Sequence, residues 1–392
     1  MPKERYLTDA IANDLREKMV FLGGPRQVGK TTLAKTLGVE NYPVFTYLNW
    51  DNRAHRKDIL SATFESHSKL VIFDEIHKYS KWKNYVKGEF DVHNKEFDIL
   101  VTGSARLDTY RRGGDSLMGR YHYYRLHPFS LAESAGLSYQ GQPGDALTFS
   151  ETTKRFQAIF AQLYTYGGFP EPFIKKNDIV LRRFHNDRLE RLVKEDIRDL
   201  EAIRDLSSLE ILVSLLPPKV GSLLSLESLR EDVEVNHKTL THWMNILERF
   251  YYHFRITPFH ARTIQSLRKT QKMYLWDWSE VPDLSARLEN IVASHLLKFT
   301  HFLYDTYGHA VSLHFLRDRA GREVDFLVAY NKKPWFAVEV KQSQREVSSN
   351  LLYFKEKLGI PFLFQVSHDA VHDRMYGDVR MMNVETFLSA FV

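Results

Sequence analysis

The chain reads as an α/β protein built on a parallel sheet, followed by a helical middle and a second, smaller α/β segment. Three observations lead there. A glycine-rich G-x-x-x-x-G-K-T sequence at residues 24–31 lies between an apolar run at 19–22 and a helix-like run at 32–37. Strand-like runs at 19–22, 43–48, 70–73, 97–102 and 121–126 alternate with helical patterns, as in a parallel sheet with helices on both faces. Strand-period alternation returns near the C-terminal end, most clearly over residues 335–341.

Length and composition bound the possibilities. At 392 residues the chain exceeds what a single core organises. Expected segments are a phosphate-loop core at 1–135, a helical lid at 136–206, a helix-rich module at 207–280 and a final α/β module at 281–392. The absence of cysteine excludes disulfides and Cys-ligated zinc or iron–sulfur centres, and fits a cytoplasmic protein. No apolar run approaches the roughly 18 residues a bilayer requires, so no membrane partner is expected. A net charge of +5 and a pI near 9.0 permit a nucleic-acid partner, but the basic residues are dispersed. A DNA argument must therefore rest on local patches.

The glycine-rich loop is a phosphate cradle. Its glycines let successive backbone N–H groups curl around a phosphate, the lysine reaches the β/γ oxygens and the threonine hydroxyl ligates Mg²⁺. Gly24, Pro25, Arg26, Gln27, Val28, Gly29, Lys30, Thr31 and Thr32 are thus the expected binding residues for ATP, with Thr31 on the metal. The apolar run at 70–73 ends in Asp74 and Glu75, placed to hold Mg²⁺ and to polarise the attacking water respectively. The run at 97–102 exits through Thr102 and Ser104, hydroxyls suited to sensing a γ-phosphate or, for Ser104, to capping a helix. Transition-state charge calls for an arginine, and Arg106, Arg111, Arg112 and Arg120 all follow this strand.

Beyond residue 128 the pattern is helical, with helices expected over 150–165 and 179–206 around a Gly167-Gly168-Phe169-Pro170 turn. Residues 208–276 have the order of a winged helix. Helices are expected at 208–215, 225–232 and 235–250, then a hairpin of 252–258 and 272–276. On the third helix Leu240, Met244, Leu247 and Tyr251 form a buried stripe. Lys238, Thr241, His242, Asn245 and Arg249 face away, able to donate to phosphates or base edges, and Arg262, Arg268 and Lys269 lie in the hairpin connection. The same polar face also suits a protein partner.

The last segment carries a second chemical pattern. Asp325 lies in one strand, and Glu339 and Lys341 share a face of the next. A hairpin brings the three together. Asp325 and Glu339, with Glu289 from the preceding helix, are expected to bind a divalent metal, and Lys341 to orient a water. The plain alternative is a hairpin with a solvent-facing Glu339–Lys341 ion pair. The arrangement resembles the PD-(D/E)XK nuclease fold, although Val324 stands where the family name has proline.

The Asp-Glu pair and the hydroxyl-tipped strand resemble the AAA+ class of ATPases. Nearly the whole chain is similar to prokaryotic AAA+ ATPases that join an N-terminal P-loop domain to a C-terminal domain of unknown function. The likeness rests on residues 24–31, Phe73-Asp74-Glu75-Ile76, Thr102-Gly103-Ser104, residues 117–120 and Gly167-Gly168-Phe169-Pro170. It continues through Lys272-x-Tyr274-x-x-Asp277 and Glu323-Val324-Asp325-Phe326 with Glu339-Val340-Lys341. It implies an AAA+ fold with winged-helix and nuclease-like modules, singles out Arg120 as the arginine finger and links the chain to DNA. A finger acting in trans requires a homo-oligomer, a hexamer among the candidates. Three functions compete: a DNA-dependent ATPase that moves on or remodels DNA, including branched DNA; an ATP-gated metal nuclease; and a nucleotide-switched protein scaffold.

Overall fold

The computed structural model describes residues 4–392 except 105–106, 108–116, 118, 198–202, 204, 260–270, 344–345 and 370–372, and gives only the backbone of 195 and 196. Contacts divide the chain into two compact units. One comprises Met1–His127 with Arg249–Tyr251, the other Pro128–Glu248 with Tyr252–Val392.

The first unit holds strands β1 (Met19–Gly23), β2 (Phe45–Asn49), β3 (Leu70–Asp74), β4 (Asp98–Thr102) and β5 (Tyr121–Arg125). They pair in the order β2-β3-β4-β1-β5, every neighbour parallel. β1 and β3 are buried at every position, as strands covered on both faces must be, which is why they read as unbroken apolar runs. Phe21, Phe73, Trp82, Val86, Ile99 and Val101 belong to the core on one face, where the Phe21 ring stacks on Tyr121 at 4.3 Å. Burial of one such phenylalanine contributes roughly 1.5–3 kcal/mol. β1 lies between β4 and β5, so the loop after it opens at the carboxyl edge of the sheet's interior. Open α/β sheets place their ligands there.

The second unit contains β6 (His253–Pro258), β7 (Lys272–Leu275), β8 (Val311–Arg317), β9 (Glu323–Tyr330), β10 (Lys333–Lys341), β11 (Phe362–Ser367), β12 (Arg374–Tyr376) and β13 (Val379–Asn383). Among the described residues they form one mixed sheet, β12-β13-β11-β10-β9-β8-β6-β7. The hairpin expected as a wing does form, from His253 opposite Leu275 to Ile256 opposite Lys272. It is not separate: Thr257 and Pro258 continue into parallel pairing with His314 and Phe315 of β8. The hairpin therefore belongs to the sheet that carries Asp325 and Glu339. Asn331 and Lys332 join β9 to β10 with φ of 50° and 64°, the two-residue left-handed turn that matches the twist of a hairpin.

A 24-residue helix, Leu284–Tyr307, packs across β7, β8, β9 and β10. Its Asn290 is wholly buried and pairs with the backbone of Leu275 twice, accepting from the N–H at 2.9 Å and donating to the C=O at 2.8 Å. A side-chain amide thus serves a strand end that would otherwise leave two buried polar groups unpaired.

One expected helix differs. Instead of a single helix over 179–206, Asp178–Arg191 runs into a π-helical turn, Leu192–Ile197, and a separate helix, Leu206–Leu215, starts at the Asp205 cap. The wider turn carries Leu192, Val193 and Ile197 all into the core.

The Gly167-Gly168 turn meets the Asp277 segment. A Cβ on Gly167 would lie 2.8 Å from Asp277 Oδ1, and one on Gly168 2.5 Å from the Trp278 ring. Both glycines permit close approach. Nearby in the same unit, Lys298 and Glu133 form a buried ion pair at 2.5 Å, and Lys298 also donates to Ser130 Oγ at 2.9 Å. Lys298→Met is expected to destabilise the fold by about 3–5 kcal/mol, because Glu133 is left buried without its counter-charge. Glu133→Gln combined with Lys298→Met should recover part of that loss in urea denaturation; a double variant no better than the single would refute the pairing argument.

Candidate active site

The phosphate loop leaves β1 through Gly24 at φ 147°, passes Gln27 at φ 60° and enters the helix Lys30–Asn41 from Gly29 at φ 100°. These angles belong to glycine by preference, so Gln27 takes a sparsely populated conformation. A Cβ on Gly24 would come 2.5 Å from the Leu126 carbonyl oxygen. The helix has no side-chain cap, so its first N–H groups are left to the loop, the arrangement that favours an anion. Lys30, only 7% exposed, turns back and donates to the carbonyls of Gly24 at 2.9 Å and Pro25 at 2.7 Å. Val28 is buried, Pro25 likewise; Arg26 and Gln27 are half-buried and Thr32 is exposed.

The loop is anchored by a residue whose role is invisible in the sequence. Arg5 is buried and donates to the Val28 carbonyl at 2.8 Å and the His127 carbonyl at 2.5 Å. Tyr6 adds a bond to the Arg125 carbonyl at 2.7 Å. Nothing in the spacing of residues 5 and 28 announces that contact.

Asp74 is the organising acid. Its Oδ2 accepts from Thr31 Oγ1 at 2.8 Å and Tyr47 OH at 2.7 Å, with Asn49 Nδ2 at 3.4 Å, and its Oδ1 accepts from Thr102 Oγ1 at 2.5 Å. Burial first, and then the bond to Asp74, hold the Tyr47 phenol well above its ordinary range, so Tyr47 remains a donor. Thr102 is fully buried and fixes the acid. Thr31 and Asp74 together make an oxygen donor pair of the kind Mg²⁺ uses, and the buried Lys30 supplies a cation beside it; the residues fit a magnesium nucleotide.

Glu75 follows in a left-handed conformation at φ 56°, its N–H bonded to the Thr102 carbonyl at 3.0 Å. Burial pushes its carboxyl above the usual glutamate range, while Lys30 and Lys78 oppose the shift. His77 Nε2 lies 3.6 Å from Glu75 Oε2 and 3.5 Å from Ser104 Oγ, so the imidazole stands between the acid and the expected sensor hydroxyl. A Cβ on Gly103 would sit 2.6 Å from His77 Nδ1, which explains glycine between the two hydroxyls. Arg120 pairs twice with Asp91 of its own chain, at 2.7 and 3.3 Å. Arg106, Arg111 and Arg112 lie outside the described residues.

The second expected site has an unforeseen centre. Lys272, 2% exposed, lies 2.6 Å from Glu323, 3.3 Å from Glu289 and 3.6 Å from Asp325. Burial alone would push its ammonium down, but the surrounding carboxylates hold it above the ordinary lysine range. Tyr274 donates to Glu289 at 2.7 Å. Burial and the Asp325 charge push Glu289 up to about 7, against the pull of Lys272. Asp325 Oδ2 accepts from the Val340 N–H at 2.8 Å, and Lys341 closes on Glu339 at 2.6 Å. Burial first, then the Asp325 charge, push Glu339 up to about 7. Among the described residues no group of three or more His, Asp or Glu is placed to hold a metal ion. Asp325, Glu339 and Glu289 lie near enough for the Asp325 charge to raise the other two, but Lys272 takes the counter-charge position among Glu289, Glu323 and Asp325, while Glu339 Oε2 is buried without a hydrogen-bond partner. The Lys272-x-Tyr274 pattern was visible in sequence; its partner Glu323, two residues before Asp325, was not recognised as such.

On the helix His237–Arg249, Leu240, Trp243, Met244, Ile246 and Leu247 are buried. Lys238, His242 and Asn245 are exposed, Thr241 donates to the His237 carbonyl at 2.8 Å, and Asn245 Oδ1 accepts from Arg255 at 2.8 Å. Arg249 is half-buried, and Arg262, Arg268 and Lys269 lie outside the described residues.

Comparison with known proteins agrees with the N-terminal assignment. Residues 16–135 match the family described as AAA domain, residues 157–285 a domain of unknown function (DUF8612) and residues 285–382 another (DUF4143). An uncharacterised protein of Methanocaldococcus jannaschii is 24% identical over 89% of this chain and 81% of its own length. An uncharacterised protein of Mycobacterium tuberculosis is 22% identical over 67% of this chain, which spans about half (55%) of it. Among solved structures, Thermotoga maritima RuvB, titled a Holliday junction branch migration motor, is 17% identical over 68% of this chain and 89% of its own, with a TM-score of 0.31. A TM-score that low relates neither fold nor function. Residues 16–135 are thus similar to an AAA domain, and matches to two domains of unknown function follow.

Glu75→Gln should lower ATP turnover at least about 100-fold while nucleotide binding persists. In the parent, the acid limb of the rate should lie above the ordinary glutamate value, since the raised carboxyl must ionise to accept a proton. A limb at the usual value would show that Glu75 is not the base. For Glu289, raised from 4.5 to about 7, the folded state holds a proton that the unfolded state releases. Its contribution to stability is full below the unfolded value and is lost as pH rises through about 7. Glu289→Gln, which keeps an oxygen for Tyr274 and Lys272, should melt with the parent near about pH 5 and above it near about pH 8. Identical melting curves at both pH values would contradict the shift.

Proposed function

We propose that this protein is an Mg²⁺-dependent ATPase whose hydrolysis is coupled to binding DNA and to moving along or remodelling it, as a homo-oligomer. The observation that carries the reading is the Asp74 carboxylate, held on both oxygens by Thr31, Tyr47 and Thr102 beside Glu75, whose buried Oε2 accepts no hydrogen bond. The loop N–H groups and Lys30 bind the phosphates. Thr31 and Asp74 would hold Mg²⁺, which when bound supplies charge neutralisation on the phosphate oxygens. Glu75 takes a proton from the attacking water, and burial keeps competing water away from the carboxylate.

The pairing of Arg120 with Asp91 does not oppose a finger role. Both side chains are substantially exposed, 34% and 41%, and exposed pairs exchange partners readily. A neighbouring subunit's nucleotide would be the stronger partner. The DNA side rests on the net charge of +5 and on Lys238, His242 and Asn245, exposed together on one helix. Lys272 among Glu289, Glu323 and Asp325 speaks against the metal-nuclease reading, because a divalent ion would have to displace a buried ammonium.

ATP hydrolysis measured with Mg²⁺ and a panel of linear, forked and four-way DNA should be stimulated several-fold by at least one of them, with the DNA recovered intact. Absence of stimulation by all would overturn the coupling. Cleavage that disappears in Asp325→Ala while hydrolysis persists would restore the nuclease.

A further inference from the structure

The ATPase unit carries a second, unassigned surface after β2, the edge strand of its sheet. After β2 the chain enters the helix Arg53–Leu60, started by Asn52, whose side chain accepts from the N–H groups of Ala54 and His55. Arg53, Arg56 and Lys57, at helical spacings of three and four, line one open concavity of about 390 Å³ with Leu60 and Ser61. All three cations are exposed, and none has an acidic partner among the described residues. Arg120, Arg230, Arg317 and Arg380, by contrast, each engage a carboxylate.

A flat stack adjoins the cations. Tyr79 and Trp50 rings lie 4.7 Å apart and 19° from parallel, and the Arg56 guanidinium covers Trp50 at 5.1 Å with Nε donating to its carbonyl at 3.0 Å. The guanidinium is thereby held as a fixed plane with its remaining donors free to point outward. Unpaired cations beside a fixed stacking plane are the chemistry of nucleic acid, phosphates for the cations and a base for the plane. An acidic peptide offers charge but nothing for the plane.

The same segment is bonded to the catalytic acids. Trp50 N–H donates to the Asp74 carbonyl at 2.9 Å, and Asn49 Nδ2 approaches the Asp74 carboxylate at 3.4 Å. Lys78 bridges Asp51 at 2.6 Å and Glu75 at 3.9 Å. We infer that Arg53, Arg56 and Lys57 bind the phosphodiester backbone of a nucleic-acid strand, and that Trp50 and the Asp51–Lys78 pair pass its occupancy to Asp74 and Glu75. This deepens the DNA-coupled reading above and rests on it, placing a DNA contact on the ATPase unit itself.

The test uses the full chain and a fluorescent single strand of about 40 nucleotides, followed by anisotropy across a salt series and by ATP hydrolysis. Arg53→Glu with Lys57→Glu should weaken binding at least tenfold, reduce the salt slope by about 1.4 and abolish stimulation, with basal hydrolysis unchanged. Asp51→Asn should bind the strand as the parent does but respond to it less. A parent that neither binds nor responds to DNA overturns the functional reading and this inference with it. A parent that binds and responds, matched by the double variant, overturns this surface alone. Polyglutamate displacing the strand at equal charge concentration would assign the surface to an acidic protein and overturn it too.

Discussion

The carboxylate of Asp74 is the point on which the ATPase unit depends. It closes β3, and its partners come from the phosphate-loop helix, from β2 and from β4, so one acid ties the sequence-distant Thr31, Tyr47 and Thr102 together. The parallel order β2-β3-β4-β1-β5 is what makes this possible, because it sets β3 between β2 and β4 and ends the strands at one edge. A buried carboxylate carrying this many donors is costly to misplace: loss of one donor to a charged acceptor typically costs about 1.5–3 kcal/mol. The network therefore specifies geometry as well as charge. Glu75, one residue on, takes its left-handed backbone from the same turn and reaches neither Thr31 nor Thr102 with its side chain.

The second unit solves a different electrostatic problem. Its long helix and its sheet bring Glu289, Glu323 and Asp325 together, and answer them with one buried lysine from β7. The hairpin of β6 and β7 is thereby bound to the C-terminal sheet by charge as well as by the β6–β8 pairing. Removing Lys272 would leave like charges confronting one another in a low-dielectric setting, so the lysine is a condition of the fold there.

Much of this was legible from the chain itself. Glycine spacing and flanking apolar runs locate the phosphate loop because its chemistry is local, and both acids of the pair follow from the end of a fully apolar strand. Partners that depend on tertiary closure were not legible. Arg5 meets Val28 from 23 residues away and His127 from 122, and His77 gains meaning only when Gly103 leaves room for its ring. The Lys272-x-Tyr274 pattern stands out in the sequence, but the burial of Lys272 among carboxylates does not, because it depends on the pairing that brings β7 against the long helix. The helix expected over 179–206 failed for a related reason, because apolar spacing alone does not distinguish an α turn from the π turn at Leu192–Ile197. The Gly167-Gly168 element, a turn between helices, and Asp277 at the end of the Lys272-x-Tyr274 pattern are two halves of one close contact.

We infer that Thr102 and its fellow donors pre-set Asp74 for the metal rather than sense the phosphate directly. The most direct measurement is a magnesium titration of ATP hydrolysis by Thr102→Val beside the parent protein. Loss of a residue that orients a metal ligand typically weakens metal affinity 10- to 100-fold. The half-maximal Mg²⁺ concentration should therefore rise by about tenfold or more, with turnover largely recovered at saturating metal. An unchanged Mg²⁺ requirement, with turnover depressed at every concentration, would contradict the claim and return Thr102 to the role of a phosphate sensor.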